Sequence, residues 1–194
     1  MKGTSIAGRT QSPPMDMYCT PIWAASAMYK ALLRDGILNP SMRILEPCSG
    51  TGNLVLAGRA FGLKIKASDI QTGQEIFGKK GVSLFSYPNS YCDCVLTNPP
   101  YKGLYESGML QKLLEISQQQ TILLLNLNFL ESVRRKPLFD KGTLEFVYVY
   151  RNRVTMYPYG TTGPNNGGTK AYTWFIFNKR YFGEPRVRWL DKED

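Results

Sequence analysis

The sequence predicts an α/β domain with a mostly parallel seven-stranded sheet and helices on both faces. Two observations support this prediction. Short apolar runs alternate along the chain with segments of helical periodicity, a pattern typical of parallel strands joined by crossover helices. The last two apolar runs, near 144–151 and 172–178, have a Gly/Pro/Asn-rich loop between them instead of a helix. We therefore expect a C-terminal antiparallel hairpin to close the sheet.

The first 17 residues contain Gly, Ser, Thr and a Pro-Pro pair, and they are predicted to form an irregular arm. A helix is expected over 21–34, with Thr20 as its N-cap and Pro21 at its first position. Gly36 ends this helix. The apolar side chains predicted to share its inner face are Ile22, Ala25, Tyr29 and Leu32.

Seven strands are predicted, each a short apolar run bounded by turn residues. They cover 42–46, 63–69, 81–85, 92–97, 121–127, 144–151 and 172–178. Further helices are expected over 53–60 with Asn53 as N-cap, over 74–77, over 104–117 with Leu110, Leu113 and Leu114 inward, and near residue 130. Residues 18–194 are expected to form a single domain, because the sequence shows no internal repeat and no sign of a second domain.

The chain of 194 residues carries a formal net charge of +9, which suggests a polyanionic partner. A solvated basic surface without a partner is the alternative. The excess is uneven: residues 46–129 carry 7 basic and 6 acidic side chains, whereas residues 130–194 carry 12 and 7. The charge is therefore concentrated outside the segment that holds the motifs described next.

Four cysteines and no histidine occur, and the cysteines have no C-x-x-C spacing, so a metal site is not expected. The thiols are expected to be reduced, as in a cytosolic protein. The start of the chain lacks the apolar core of a secretion signal, and no apolar run is long enough to span a bilayer. These features predict a cytoplasmic protein.

The most informative stretch is Thr97-Asn98-Pro99-Pro100-Tyr101, at the end of an apolar run. Two prolines end a strand and offer carbonyl acceptors without N–H donors. Asn98 adds a side-chain acceptor, and Tyr101 adds a flat ring. This combination suits a planar substrate that donates an –NH2 group, such as an amide or an adenine amine. A rigid strand-ending turn with a buried tyrosine is the alternative.

A glycine-rich turn, Glu46-Pro47-Cys48-Ser49-Gly50-Thr51-Gly52-Asn53, lies between the first predicted strand and a helix. It lacks the glycine spacing of the dinucleotide fingerprint and the Gly-Lys-Ser/Thr of a P-loop. Asp69 ends the second predicted strand about 20 residues later, where α/β nucleotide-binding folds place a carboxylate against ribose hydroxyls. An ordinary tight turn between strand and helix is the alternative reading of the glycines.

Taken in this order, these motifs resemble those of class I S-adenosylmethionine (AdoMet)-dependent methyltransferases, and specifically those that methylate the N6 amine of adenine in DNA. Thr20-Pro21 is similar to the Thr-Pro segment that precedes the cofactor motif in those enzymes. Residues 128–135 and 171–177 are similar to parts of small phage and prophage members. The resemblance covers about residues 18–190. It implies the Rossmann-like class I methyltransferase fold and, for a phage-encoded protein, the host cytoplasm.

The resemblance also implies roles for individual residues. The catalytic tetrapeptide would be Asn98, Pro99, Pro100 and Tyr101. The AdoMet-binding residues would be Thr20, Pro21, Glu46, Cys48, Gly50, Gly52, Asn53, Asp69 and Ser83. Ser83 stands near the place where many relatives carry an acidic residue that contacts the cofactor's adenine, and Phe85 or a residue near Tyr87 is expected to pack that ring.

The chain departs from sequence-specific relatives because it shows no separate target-recognition domain. Recognition would then fall to three loops, 102–107, 134–141 and 157–170, where basic residues accompany aromatic ones. The predicted substrate-binding residues are Lys102, Arg134, Tyr157 and Tyr159 in these loops, together with Arg153, which flanks the last loop. A flexible hairpin connection is the alternative for the last loop.

Three functions compete at this point. The first is methylation of adenine N6 in DNA. The second is methylation of an RNA amine or of a protein glutamine, because the same tetrapeptide serves those substrates. The third is a methyltransferase-like fold that binds nucleic acid without catalysis.

Overall fold

The computed structural model describes residues 18–158 and 170–192. The predicted arm over 1–17 and Tyr159 lie outside the described residues. The strands are β1 (Tyr18–Cys19), β2 (Ile44–Glu46), β3 (Ile65–Ala67), β4 (Cys92–Thr97), β5 (Ser117–Asn126), β6 (Leu144–Tyr150), β7 (Tyr157–Pro158), β8 (Tyr172–Asn178) and β9 (Arg186–Leu190). The α-helices are α1 (Ile22–Arg34), α2 (Asn53–Ala60), α3 (Met109–Ile116) and α4 (Lys136–Phe139).

Seven of the strands form one sheet in the order β3-β2-β4-β5-β8-β6-β9. Strands β3, β2, β4 and β5 are parallel, so their carboxyl ends share one edge. Strand β8 is antiparallel to both β5 and β6, which confirms the predicted C-terminal hairpin. The short strands β1 and β7 pair antiparallel in a separate sheet.

Helices cover both faces of the sheet, as predicted. Successive residues of a strand point to opposite faces. In β4, Cys94 and Leu96 belong to the apolar core under α1 and α2, whereas Val95 belongs to the core that includes Leu110 and Leu113 of α3. The central strands are therefore buried on both sides, which explains their continuous apolar sequences.

The predicted third strand is wrong, because residues 81–85 form no strand. Ser83 instead accepts a hydrogen bond from the Phe85 amide and caps a 3-10 turn over Leu84–Ser86. The seventh strand of the sheet is β9, which the sequence analysis missed. Its alternating Arg, Val and Trp residues are mostly exposed, as expected of an edge strand that charged side chains protect from further pairing.

Several predicted helix details also differ. Residues 74–77 form a turn and not a helix, and α3 begins only at Met109, after a left-handed Gly108. Near residue 130 two 3-10 turns, Leu127–Leu130 and Val133–Arg135, precede the single turn of α4. Leu110 and Leu113 are buried as predicted, whereas Leu114 is only half-buried.

Two predicted N-caps are wrong. Helix α1 begins at Ile22, and its cap residue Pro21 accepts from the amides of Ala24 and Ala25 through its carbonyl; no side chain in the described part of the chain caps this end. Ile22 is 48% exposed and does not share the buried face. The cap of α2 is Gly52 in a left-handed conformation, with Asn53 as the first helical residue. Thr20 and Asn53 are thereby free for other partners.

None of the described helices is both long enough and apolar enough to cross a membrane.

Candidate active site

The chemical groups expected from the motifs gather in one cleft at the carboxyl ends of β2, β3 and β4. Parallel α/β sheets place their ligands at this edge. Ten of the predicted site residues line the cleft. They are Thr20, Cys48, Gly50, Asn53, Asp69, Ser83, Asn98, Pro99, Pro100 and Tyr101.

The glycine turn lines the cleft and is fixed by hydrogen bonds to neighbouring segments. Gly50 has a φ of +47°. Its amide donates to Asp69 Oδ2 at 2.9 Å, and its carbonyl accepts from the Phe77 amide at 2.8 Å. The turn is therefore held between the end of β3 and the segment that follows it.

Asp69 organises two backbone segments at once. Its Oδ2 accepts from the Gly50 amide at 2.9 Å, and its Oδ1 accepts from the Gln71 amide at 2.9 Å. A carboxylate offers about four acceptor positions, so each oxygen keeps capacity for another donor. Asp69 thus combines a structural role, which the sequence analysis did not foresee, with a position on the wall of the cleft.

Gly52 does not line the cleft, and its role is in packing. Its φ is +84°, and a Cβ there would lie 2.4 Å from Phe77 Cγ. Glycine is required for two separate reasons, the left-handed backbone and the close approach of a ring.

Gly52→Ala is expected to lower the free energy of unfolding by about 3 kcal/mol, since backbone strain and overpacking add. Gly62→Ala is the matched control, because Gly62 has a φ of +77° and a methyl group added there would meet no atom within 4 Å. The free energy of unfolding of that variant should fall by only about 1 kcal/mol. Urea denaturation measures both, and equal losses would show that contact with Phe77 is unimportant.

Glu46 is buried beneath the turn and does not line the cleft. Its Oε1 accepts from the Cys48 amide at 3.0 Å, whereas Oε2 has no hydrogen-bond partner among residues 18–158 and 170–192. Burial raises the pKa of Glu46 to about 8, and the negative charge of Asp69 acts in the same direction. The structure therefore places Glu46 against the turn, and its predicted contact with AdoMet stays a prediction.

This pKa predicts a pH-dependent stability. The folded state retains the Glu46 proton between the ordinary value of 4.5 and about 8, while the unfolded state has lost it. The contribution of Glu46 to stability therefore falls as pH rises through this window and is constant above it. Glu46→Gln should remove this fall and exceed the wild type in free energy of unfolding by about 5 kcal/mol at pH about 8.

Chemical denaturation at several pH values measures this effect, with Glu106→Gln, at an exposed position, as the control. Parallel pH profiles for the wild type and Glu46→Gln would contradict the protonated state of Glu46.

Asn98 is oriented by contacts that lie far away in sequence. Its Nδ2 donates at 3.3 Å to the Tyr18 carbonyl and at 3.3 Å to Thr20 Oγ1. Because a backbone carbonyl can only accept, the amide nitrogen must face β1. Oδ1 is then left on the other side, where it accepts from the Tyr101 hydroxyl at 2.7 Å.

Two contacts of Tyr101 matter for the cleft. Its hydroxyl occupies one acceptor position of Asn98 Oδ1, and an amide oxygen has a second lone pair. Its half-buried ring lies 6.2 Å from the ring of Tyr172, with an angle of 33° between their planes. The ring is therefore supported from β8, as a stacking platform requires.

The segment 18–20, which contains β1, joins the motifs to one another. Thr20 accepts from Asn98 through its hydroxyl and from Asn53 Nδ2, at 2.8 Å, through its carbonyl. Cys19 pairs with Tyr157 in β7, the start of the long loop after β6. The segment before α1 thus connects the tetrapeptide, the glycine turn and a predicted substrate loop.

Two exposed apolar side chains line the cleft, and the sequence analysis missed one of them, Ile70. Ile70 follows Asp69 and is 62% exposed, and Phe85, already considered for ring packing, is 51% exposed. Exposed apolar side chains on a cleft wall are typical of sites for a flat ring. The position of Ile70 directly after the acidic residue was the signal that could have identified it.

The other predicted site residues in the described part of the chain do not line this cleft. Pro21 begins α1, and Tyr157 lies in β7. Lys102 is exposed, directly after the tetrapeptide. The remaining four are Glu46, Gly52, Arg134 and Arg153, of which the two arginines are exposed.

Within residues 18–158 and 170–192, no group of three or more His, Cys, Asp or Glu side chains could hold a metal ion. All four cysteines are free thiols.

A scan against protein-family models and a search of curated proteins find no match to the sequence. Solved structures do match the fold. One is a modification subunit assigned to a type I restriction enzyme from Vibrio vulnificus YJ016, with a TM-score of 0.59 and 13% identity over 91% of this chain and 48% of that chain. The chain thus spans about half the length of that subunit.

Two further structures match over more of their own length. A Pyrococcus horikoshii protein assigned as an RNA methyltransferase has a TM-score of 0.63 and 15% identity, over 87% of this chain and 90% of that chain. A Listeria monocytogenes protein assigned as a class I S-adenosylmethionine-dependent methyltransferase has a TM-score of 0.61 and 12% identity, over 93% of this chain and 68% of that chain. The fold is therefore that of the class I AdoMet-dependent methyltransferases, as predicted.

Proposed function

We propose that this chain, whose fold is that of the class I methyltransferases, transfers a methyl group from AdoMet to the N6 amine of adenine in DNA. The observation that carries the proposal is the orientation of Asn98. Its amide nitrogen is held by Tyr18 and Thr20, so its oxygen is an acceptor in the cleft that also contains the glycine turn.

The cleft has the groups that AdoMet requires. The backbone turn around Gly50 would pass beneath the methionine part, and the remaining acceptor positions of Asp69 suit the two ribose hydroxyls. Ile70 and Phe85 would flank the adenine ring, and Ser83 lies beside them on the cleft wall. When bound, AdoMet would supply an electrophilic methyl group whose leaving group is a neutral thioether, and the proton displaced from the amine would pass to solvent.

The chain must therefore position the amine and make its lone pair available. The lone pair of adenine N6 is delocalised into the ring, so the amine is a weak nucleophile. Acceptance of its two N–H bonds by Asn98 Oδ1 and the Pro99 carbonyl favours a tetrahedral nitrogen and offsets the positive charge that develops during transfer. Pro99 and Pro100 suit this edge because neither has an amide N–H that would repel the donor.

Tyr101 would support the base by stacking, as the resemblance implies. Its ring is braced by Tyr172, and its hydroxyl takes only one acceptor position of Asn98 Oδ1. The second position remains for the substrate amine. Stacking on an aromatic ring contributes about 1–3 kcal/mol per base, which offsets part of the cost of extruding an adenine.

DNA as the substrate is supported by charge and by chemistry. The net charge of +9 favours a polyanion. Lys102, Arg134 and Arg153 are exposed and would contact phosphates, and Tyr157 and Tyr159 would contact bases. A paired adenine must leave the helix to reach the cleft.

The proposal is tested by incubating the protein with labelled AdoMet and with unmethylated duplex DNA, single-stranded DNA, RNA or protein. Nucleoside analysis should then find N6-methyladenine in DNA. Label in RNA or in glutamine alone would reassign the substrate to an RNA amine or a protein amide.

Calorimetry with AdoMet separates catalysis from binding alone. Heat of cofactor binding is expected for the wild type. If nucleic acid binds while AdoMet does not, the chain is a non-catalytic binding protein and the proposed function is wrong.

A further inference from the structure

The loop over residues 131–136, here named the wedge loop, presents an unusual apolar residue. Val133 is 89% exposed, the highest value among the large apolar side chains in the described part of the chain. Single exposed apolar residues are ordinary on protein surfaces. Val133 is informative because of its supports, its location and its charged neighbours.

The wedge loop is fastened to the core. The Arg135 guanidinium lies 4.4 Å from the centre of the Phe129 ring and donates to the carbonyls of Asn128, at 3.2 Å, and Glu131. Phe129 is itself buried and packs edge-on against Phe175 of β8. The backbone beside Val133 is therefore braced, so the valine projects from a supported position.

The wedge loop also contacts the turn that follows the Asn-Pro-Pro-Tyr tetrapeptide. It follows β5, whose carboxyl end adjoins that of β4 at the cleft edge of the sheet. The Tyr105 hydroxyl donates to the Arg134 carbonyl at 2.9 Å, and Tyr105 belongs to the turn that continues from Tyr101. A substrate that reaches Asn98 from this side would therefore meet the wedge loop.

The charges around Val133 suit a polyanion. Residues 130–141 contain four basic and two acidic side chains. Lys136 is paired with Asp140. Within the described residues, no carboxylate lies at salt-bridge distance from the exposed Arg134, whose charge is thus available to a phosphate.

We propose that Val133 inserts into duplex DNA beside the target adenine and occupies space that the extruded base leaves, while Arg134 contacts the adjoining backbone phosphate. This inference rests on the proposed function. Extrusion of a paired base costs a few kcal/mol, and apolar side chains that enter a base step offset part of that cost. A single strand needs no such help, so the two substrates distinguish this role from a general contribution to binding.

The test compares methyl transfer to duplex plasmid DNA and to single-stranded circular DNA of the same sequence, with labelled AdoMet. Val133→Ala should lower the ratio of the duplex rate to the single-strand rate by about tenfold. Val187→Ala is the matched control, because Val187 is also exposed, at 46%, but lies on edge strand β9. Its ratio should equal that of the wild type.

A second measurement uses an oligonucleotide duplex with an abasic nucleotide opposite the mapped target adenine. With the base already unpaired, the defect of Val133→Ala should disappear. An unchanged ratio for Val133→Ala, or a defect that persists on the abasic duplex, overturns the insertion role while the proposed function stands. If the wild-type protein methylates neither duplex nor single-stranded DNA, the proposed function itself is wrong.

Discussion

Asn98→Ala is expected to lower the rate of methyl transfer by about a hundredfold to a thousandfold, the usual effect of removing one preorganised polar group from a transition state. The substitution removes the oxygen that would accept from the substrate amine. It leaves the glycine turn, Asp69 and the apolar cleft wall in place, because the Asn98 side chain hydrogen-bonds to the segment 18–20 and to Tyr101. The affinity for AdoMet should therefore change little.

Radiolabelled transfer to DNA measures the rate, and calorimetry measures cofactor binding in the same preparation. Asn89→Ala is the control, since Asn89 is exposed and precedes β4 at the opposite edge of the sheet. If Asn98→Ala transfers the methyl group at the wild-type rate, Asn98 has no role in the reaction. Loss of cofactor binding together with turnover would instead assign Asn98 to the architecture of the cleft.

Asp69→Asn is expected to weaken AdoMet binding by about a hundredfold. Both carboxylate oxygens accept backbone N–H bonds, from Gly50 and from Gln71. An asparagine of the same shape must place its NH2 group against one of these donors, which leaves a buried N–H without a partner. Such a loss costs about 1–3 kcal/mol, and the turn that would carry the cofactor shifts with it.

Titration calorimetry with AdoMet tests this expectation. Asp93→Asn is the matched control, because Asp93 also accepts from a backbone amide and pairs with Arg43, yet lies at the other end of β4. That variant should retain wild-type affinity even if it is less stable. An unchanged affinity for Asp69→Asn would mean that Asp69 neither holds the turn in its binding conformation nor contacts the cofactor.

The sequence predicted best where local pattern decides the structure. The bounds of α2, β4 and β8 agree with the structure, because each has an apolar pattern bounded by strong turn residues. The prediction failed over 81–85, where a short apolar run has no strand to pair with and is capped by Ser83 instead. It also missed β9, whose alternating charges hide a strand that exists only because β6 offers it an open edge.

For the candidate site, too, the features set by local sequence patterns could be predicted and the features set by distant contacts could not. The sequence by itself determined which chemical groups are present, since a glycine turn, an acidic strand end and an Asn-Pro-Pro-Tyr turn are each local patterns. It also determined that these groups meet, because parallel strands end at a common edge.

Only the tertiary structure decided how those groups are oriented. The contact that turns the Asn98 amide joins residues 80 positions apart, and no local pattern encodes it. Likewise, Glu46 is buried under the turn, while Ile70 and Val133 are left exposed. The physical reason is that hydrogen-bond partners and burial depend on which segments the completed sheet brings side by side, whereas propensity and periodicity act within a single segment.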